Sequence, residues 1–155
     1  MSVRDTVKRQ YRAIVDGAAS TLADAPPLPP EGWVATVRKA LGMSGADLAR
    51  RLGVSRARVH QAERAEPDGG VRLKTMQAVA EAMGCRFVYA IVPEGRTQDV
   101  IEQQAHRKAK ALVGKASDHM ALESQSLSKA QNAEEVDRVA RELMRQMPPD
   151  FWTDK

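Results

Sequence analysis

Leu48-Ala-Arg-Arg-Leu-Gly-Val-Ser-Arg-Ala-Arg-Val-His-Gln-Ala-Glu63 is the stretch from which the rest of the chain is read. Leu48, Ala49 and Leu52 are small or apolar at helical spacing. Gly53 stands where that helix must stop, because glycine takes the left-handed C-terminal conformation without a steric penalty. Val54 follows as an apolar plug, and Ser55 is placed to accept a hydrogen bond at the start of a second helix beginning at Arg56, with Val59 and Ala62 facing inward. Two helices joined by a tight glycine turn make a helix-turn-helix. Outward on the second helix remain Arg56, Ala57, Arg58, His60 and Gln61, long donors around one small residue. Such a set suits phosphates and the acceptor-rich edges of a DNA major groove.

The surrounding composition agrees with a helical protein. Of 155 residues 43% are hydrophobic, enough for a core, but only 4% are aromatic, so the interior is built from Ala, Val, Leu and Met and the fold is expected to be mainly α. Charge is concentrated in the middle. Residues 31–92 carry ten Lys/Arg against six Asp/Glu, a balance of +4, whereas residues 1–30 and 93–155 balance at +1 and −1. Arg50, Arg51, Arg56 and Arg58 occur there with no acid between them, the footprint of a polyanion partner. Cys85 is the single cysteine, which excludes an internal disulfide and is read as a small core residue of a cytoplasmic protein. The first residues lack an apolar signal segment, and about 18 uncharged apolar residues never run together, so a soluble chain with no membrane association is expected.

Three segments follow from the punctuation. Residues 1–30 hold an amphipathic helix over 3–22, with Val3, Val7, Tyr11, Ile14 and Ala18 as its stripe, and then a Pro-rich linker, Ala25-Pro-Pro-Leu-Pro-Pro30. Residues 31–92 hold a helix from Gly32 to Leu41 with Trp33, Val37, Ala40 and Leu41 turned inward, helices capped by Ser44 and Ser55, a turn at Glu66-Pro-Asp-Gly-Gly70, and a helix from Leu73 to Met83. The helix starts at Ser44 and Ser55 are each placed to hold a phosphate. From Cys85 to Val92 the period changes to two, predicting one short β-strand. A lone strand most simply pairs through Phe87, Tyr89 and Ile91 with its copy in a two-fold homodimer; the alternative is an extended segment lying on the helices. Residues 93–155 hold a long helix from Thr97 to about Gln125, with a break or kink expected near Gly114. A second helix there is entered through a capping box at Asn132-Ala-Glu-Glu135. Its stripe of Val136, Val139, Leu143 and Met147, with Phe151 and Trp152 after Pro148-Pro149, is read as a partner-binding surface, or as packing for the first helix within a dimer.

The motif resembles the helix-turn-helix of the Xre/Cro repressor class over about residues 32–84. Leu48, Ala49, Leu52, Gly53, Val54, Val59 and Ala62 fall where that class has apolar, small and turn residues. The resemblance implies a lambda-repressor-like domain. It also implies an ion pair between Arg38 on the first helix of the domain and Glu63 at the end of the recognition helix. One departure stands out: Ser44 is followed by Gly45, where the class often has a phosphate-gripping glutamine, so backbone at Gly45 together with Arg50 and Arg51 is expected to supply the contact.

A wider likeness spans nearly the whole chain. Pro-Pro-x-Gly-Trp before the domain, Leu-Lys-Thr-Met and Ala-Glu-Ala-Met-Gly-Cys-Arg-Phe-Val-Tyr-Ala-Ile-Val-Pro after it, His119-Met-Ala-Leu-Glu-Ser-Gln125 and a terminal Phe-Trp resemble the mobile mystery protein A family. Genes of that family typically lie upstream of a Fic-domain protein, which implies an antitoxin that represses its own operon. The Ser/Thr-x-x-x-Glu-Gly/Asn inhibitory motif of some Fic antitoxins is not matched: Glu31-Gly32 follows Pro27 and Glu94-Gly95 follows Ala90 at the required offset.

No catalytic constellation is expected. His60, His106 and His119 lack ligand partners at metal spacing, the glycines form no phosphate-binding fingerprint, and no cofactor is implied. Two readings result. One is a sequence-specific repressor of a palindromic double-stranded operator; the other is a protein-binding inhibitor of a Fic toxin whose DNA binding is secondary.

Overall fold

The computed structural model describes residues 1–123 and 127–154. Their helices are α1 (Val3–Thr21), α2 (Trp33–Ala40), α3 (Gly45–Leu52), α4 (Arg56–Ala65), a 3₁₀ turn at Glu66–Asp68, α5 (Leu73–Ala82), α6 (Thr97–Leu122) and α7 (Lys129–Gln146). They form two compact units, one of Asp24–Ala90 and one of Met1–Ala23 with Ile91–Lys155. The first helix therefore belongs with the C-terminal helices, although the Pro-rich stretch and the charge pattern set it apart as a segment of its own.

In the unit of Asp24–Ala90, Val34, Leu48, Ala49, Val59, Met76, Val79 and Met83 make the core, with Val37, Leu52 and Phe87 packed against it. Gly53 closes α3 at φ 69°, the left-handed turn expected of it. Trp33, Ala40 and Leu41, read as turned inward, are exposed instead, as is Leu73 at the start of α5. A helix of eight residues turns barely more than two turns against the core, so only about a third of its circumference is covered, and in α2 Val34 and Ala35 take that place. Val54 is likewise partly exposed, a lid at the edge of the core.

The start of α2 is built by a residue 32 to 33 positions away. Gly32 at the helix N-cap has no side chain to offer, and its φ of 86° is open to glycine at little cost. The buried carboxylate of Glu66 supplies the cap, accepting the Trp33 N–H at 2.8 Å and the Val34 N–H at 2.9 Å. A Cβ on Gly32 would stand 2.6 Å from Glu66 Oε2, so the glycine makes room for the cap.

The strand expected over Cys85–Val92 does not form among the described residues. A strand exists only by pairing, and within one chain no second strand is offered; beyond the Cys85 N–H bonded to Ala80, residues 86–92 make no backbone hydrogen bond there. Phe87 packs on the core and stacks on Tyr89 with ring centroids 5.7 Å apart, while Val88 and Ile91 stand in solvent. Cys85 is exposed, not the core residue its composition suggested.

In the other unit α6 and α7 lie against each other through Ile101, Ala105, Ala109 and Ala140, small side chains that allow close approach. Gly114 does not break α6; its position is open on all sides, and the helix runs through it from Thr97 to Leu122. Ser124 and Gln125, the expected end of that helix, lie outside the described residues. Helix α7 begins one turn earlier than expected: Ser128 and Gln131 form the capping box, leaving Asn132 inside the helix. After Met147, held at φ 42° ahead of Pro148-Pro149, a turn carries Phe151 back into the core, where it is 1% exposed. Gln104 donates to the Phe151 carbonyl at 2.8 Å, and Lys108 donates to the Asp150 carbonyl at 2.6 Å and pairs with its carboxylate at 3.0 Å, clipping the tail to α6.

Of the residues read as a partner-binding surface, Phe151 is buried, Val136, Val139, Leu143 and Met147 are partly buried against the α6–α7 core, and Trp152 stays exposed. The first helix does not cover the stripe. Helix α1 has no buried residue and leaves Val3, Tyr11 and Ile14 largely exposed, while its Asp16 carboxylate accepts the Thr97 N–H at 2.8 Å and caps α6.

Candidate nucleic-acid interface

Ser55 places the recognition helix. Its hydroxyl accepts the Arg58 N–H at 3.2 Å, and with Val59 buried the 100° spacing of a helix puts Ala57, His60, Gln61 and Arg64 on the opposite face, all exposed. Arg56 and Arg58 flank that face. Arg56, Ala57 and His60 border one shallow concavity with Ser44 and Gly45. Arg58 and Gln61 border a second groove, which also has Arg72, Lys74 and Thr75 on its edge. Sequence reasoning missed Arg64, Arg72 and Lys74: Arg64 falls outside the motif but one turn beyond His60, and the other two reach the same groove only because the Glu66–Gly70 turn brings α5 back onto α3, facing α4 across that groove.

The two helix starts are not equivalent. At α3, Ser44 and Asp47 form a reciprocal capping box, with Ser44 N–H on Asp47 Oδ2 at 2.8 Å and Asp47 N–H on Ser44 Oγ at 3.0 Å. Hydrogen bonds from Ser44, aided by Arg50, hold the Asp47 carboxyl below the usual aspartate range, so a negative charge already sits where a phosphate was expected. Among the described residues the Gly45 and Ala46 N–H groups remain without an acceptor. At α4 the first turn contains no acid, and the Ser55 start is the more favourable of the two for an anion.

Arg50 and Arg51 are each engaged within the domain. Arg50, still largely exposed, pairs with Asp47 one turn before it. Arg51 Nε donates to the Ala82 carbonyl at the end of α5, a bond that ties α3 to α5 and draws the guanidinium away from the motif's starts.

Behind the recognition helix stands a bidentate pair. Arg38 Nε donates to Glu63 Oε1 at 2.5 Å and Nη2 to Oε2 at 3.2 Å, with the side chains 15% and 12% exposed, while Nη1 reaches the Met43 carbonyl at 3.0 Å. The hydrogen bonds to Glu63 raise the Arg38 pKa further above its ordinary value. With Glu66 on the helix start and Glu63 on Arg38, two carboxylates at the end of the recognition helix grip α2 at both of its ends.

Among the described residues no three His, Cys, Asp or Glu side chains gather as a metal site, and no helix is long and apolar enough to cross a membrane. No curated protein and no solved structure matches the chain. Residues 34–89 match the Helix-turn-helix family, a span that coincides with the unit just described. The segment is an Xre-type helix-turn-helix domain, and through it the chain is a DNA-binding regulator of transcription.

Proposed function

We propose that the protein is a sequence-specific repressor that reads a palindromic operator as a homodimer in the cytoplasm. The observation that carries this reading is the exposed row of Ala57, His60, Gln61 and Arg64, with Arg56 and Arg58 on its flanks and no acid in the first turn of the helix. Arg56 and Gln61 are the proposed base readers, and Arg58, Arg72 and Lys74 the phosphate contacts. A footprint on DNA upstream of the gene tests it. Replacing both Arg56 and Gln61 by Ala should abolish the footprint while leaving weak binding to random DNA; an unaltered footprint would refute the assignment.

Dimerisation is proposed through residues 86–92, whose backbone makes no hydrogen bond among the described residues of the chain and whose Val88, Tyr89 and Ile91 are exposed, the pattern of an edge awaiting a partner strand. Two domains so related would read half-sites about 34–36 Å apart. Sedimentation should find a dimer at micromolar concentration, and Val88→Pro with Ala90→Pro should make it a monomer.

The resemblance to the mobile mystery protein A family adds a second partner, a Fic-domain protein, and with it the role of an autoregulating antitoxin. With the C-terminal stripe partly buried against α6 and Phe151 in the core, the surface proposed for that partner is the exposed side of α1, Val3, Tyr11 and Ile14, together with Trp152. Tyr11→Glu with Ile14→Glu, both at exposed positions, should abolish co-purification of the Fic protein and leave the operator footprint intact.

A further inference from the structure

Between α2, α5 and the segment after α5 lies an apolar pocket of about 260 Å³. Val34, Val37, Val79, Met83 and Phe87 form its walls, Trp33 also lines it, and Arg86 is the one charged residue of its lining. Three features distinguish it from a simple gap in packing. Its volume suits a molecule of about ten non-hydrogen atoms, and a pocket dominated by apolar walls with one polar group is the usual form of a small-ligand site. Arg86 makes no ion pair or side-chain hydrogen bond among the described residues, leaving a cation without an anion at the edge of an apolar surface. Within one chain the wall from Cys85 to Val88 is held by no backbone ladder, and the methionines beside it are the most adaptable of apolar side chains.

We propose that this pocket binds a small apolar monocarboxylate, its ring or branched chain among Val37, Val79 and Phe87 and its carboxylate on Arg86, and that occupancy alters DNA affinity. A single guanidinium satisfies a carboxylate in a bidentate pair, whereas a phosphate dianion beside such walls would lack donors. The coupling runs through α2. Trp33, Val34 and Val37 line the pocket, and the same helix is held at Trp33 and Val34 by Glu66 and at Arg38 by Glu63, both at the end of the recognition segment. A guest that shifts α2 therefore shifts the recognition helix with it.

The test uses the full chain with Trp152→Phe, which leaves Trp33 as the only indole. Phenylacetate should change Trp33 fluorescence saturably, and its neutral counterpart phenylacetamide should bind at least about tenfold more weakly. Arg86→Gln should remove that difference and leave the far-ultraviolet spectrum unchanged. Phenylacetate should also slow alkylation of Cys85, which lines the same pocket. The DNA effect rests on the proposed operator reading, and a change of about threefold or more in operator affinity is expected. Ligand binding is measured without DNA, so failure of the site and failure of the operator reading are told apart. No saturable signal up to about 10 mM would overturn the site. So would equal binding of acid and amide, or a signal that follows protein concentration alone, which would assign the pocket to a second copy. Binding without any change in operator affinity would overturn the coupling.

Discussion

Replacing Glu66 by Ala removes both acceptors at the start of α2. The Val34 N–H lies under a residue 3% exposed and finds no water, while Trp33 is 41% exposed and its N–H is partly rehydrated. One unsatisfied buried donor costs about 1–3 kcal/mol, and a lost charge-assisted cap adds about 1 kcal/mol. The expected loss is about 2–4 kcal/mol, a large part of the stability of a small unit. Glu66→Gln keeps one acceptor oxygen but turns an amide N–H₂ toward the other donor, for a loss of about 1–2 kcal/mol. Urea titration followed by Trp33 fluorescence, in the Trp152→Phe background, reports this unit and not the other. With a slope of about 1–1.5 kcal/mol per molar, the midpoint for Glu66→Ala should fall by roughly 1.5–4 M. The companion variant is Gly32→Ala, whose Cβ stands 2.6 Å from Glu66 Oε2 at a backbone φ of 86°. In the parent it should cost both the overlap and the strained backbone; in the Glu66→Ala background only the backbone part remains, about 1–3 kcal/mol at a φ and ψ that essentially only glycine adopts. A Glu66→Ala midpoint within experimental error of the parent, or an equal Gly32→Ala penalty in both backgrounds, would refute the cap.

Glu63→Ala should lower stability by about 3–5 kcal/mol, since Arg38 is left mostly buried with a single carbonyl at Met43, whereas Glu63→Gln keeps one acceptor and should cost less; a thermal melt followed at Trp33 measures both. Arg56→Ala should weaken operator binding by about 1–3 kcal/mol and relax one base, whereas Lys74→Ala should weaken operator and random DNA alike and lower the salt slope by about one, both read by fluorescence anisotropy. Phe151→Ala should cost about 3–5 kcal/mol in the α6–α7 unit, seen in far-ultraviolet melting, because it empties the site that the tail turn fills. The carboxyls of Asp47 and Asp150 are held below the usual aspartate value near 3.8, by Ser44 and by Lys108 respectively. A lowered folded-state pKa gives stability that is fully present above the unfolded value and lost as pH falls through the folded one. Stability should therefore decline below about pH 4, and Asp47→Asn with Asp150→Asn should flatten that decline in urea titrations at successive pH.

The helix-turn-helix is legible in the sequence because its determinants are local. Gly53, Ser55 and the apolar spacing around them act within one or two turns, and backbone geometry enforces them whatever the rest of the chain does. The Glu66 cap is invisible there, since nothing at Gly32 names a partner 34 positions on; only the missing capping side chain gives a hint. The strand over Cys85–Val92 fails for the converse reason: alternation of branched and aromatic residues describes a backbone that is able to pair, and pairing needs an edge that the chain does not supply. At Gly114 the reading overweighted a single propensity of about 1 kcal/mol, which packing at Ala109 and Val113 on the buried side outweighs. Between Ser128-x-x-Gln131 and Asn132-x-x-Glu135, two capping patterns were present, and the earlier one holds. On the DNA face, Arg51 and Asp47 show why a run of arginines is an imperfect guide. Each charge counts only after the carbonyls and carboxylates near it have been served.

Asp16 caps α6 at Thr97 across 81 residues of chain, and the whole helix-turn-helix domain is encoded between them. During synthesis at about 5–20 residues per second, roughly 4–16 s separate the emergence of Asp16 from that of Thr97. Residues 24–90 emerge within that interval, so the DNA-reading domain is complete before Thr97 appears, while until then Asp16 on α1 has nothing to cap. At that point the nascent chain is a finished reader carrying an unfinished handle, and a partner of Val3, Tyr11 and Ile14 finds them on the ribosome before α6 and α7 exist and finds them still exposed afterwards.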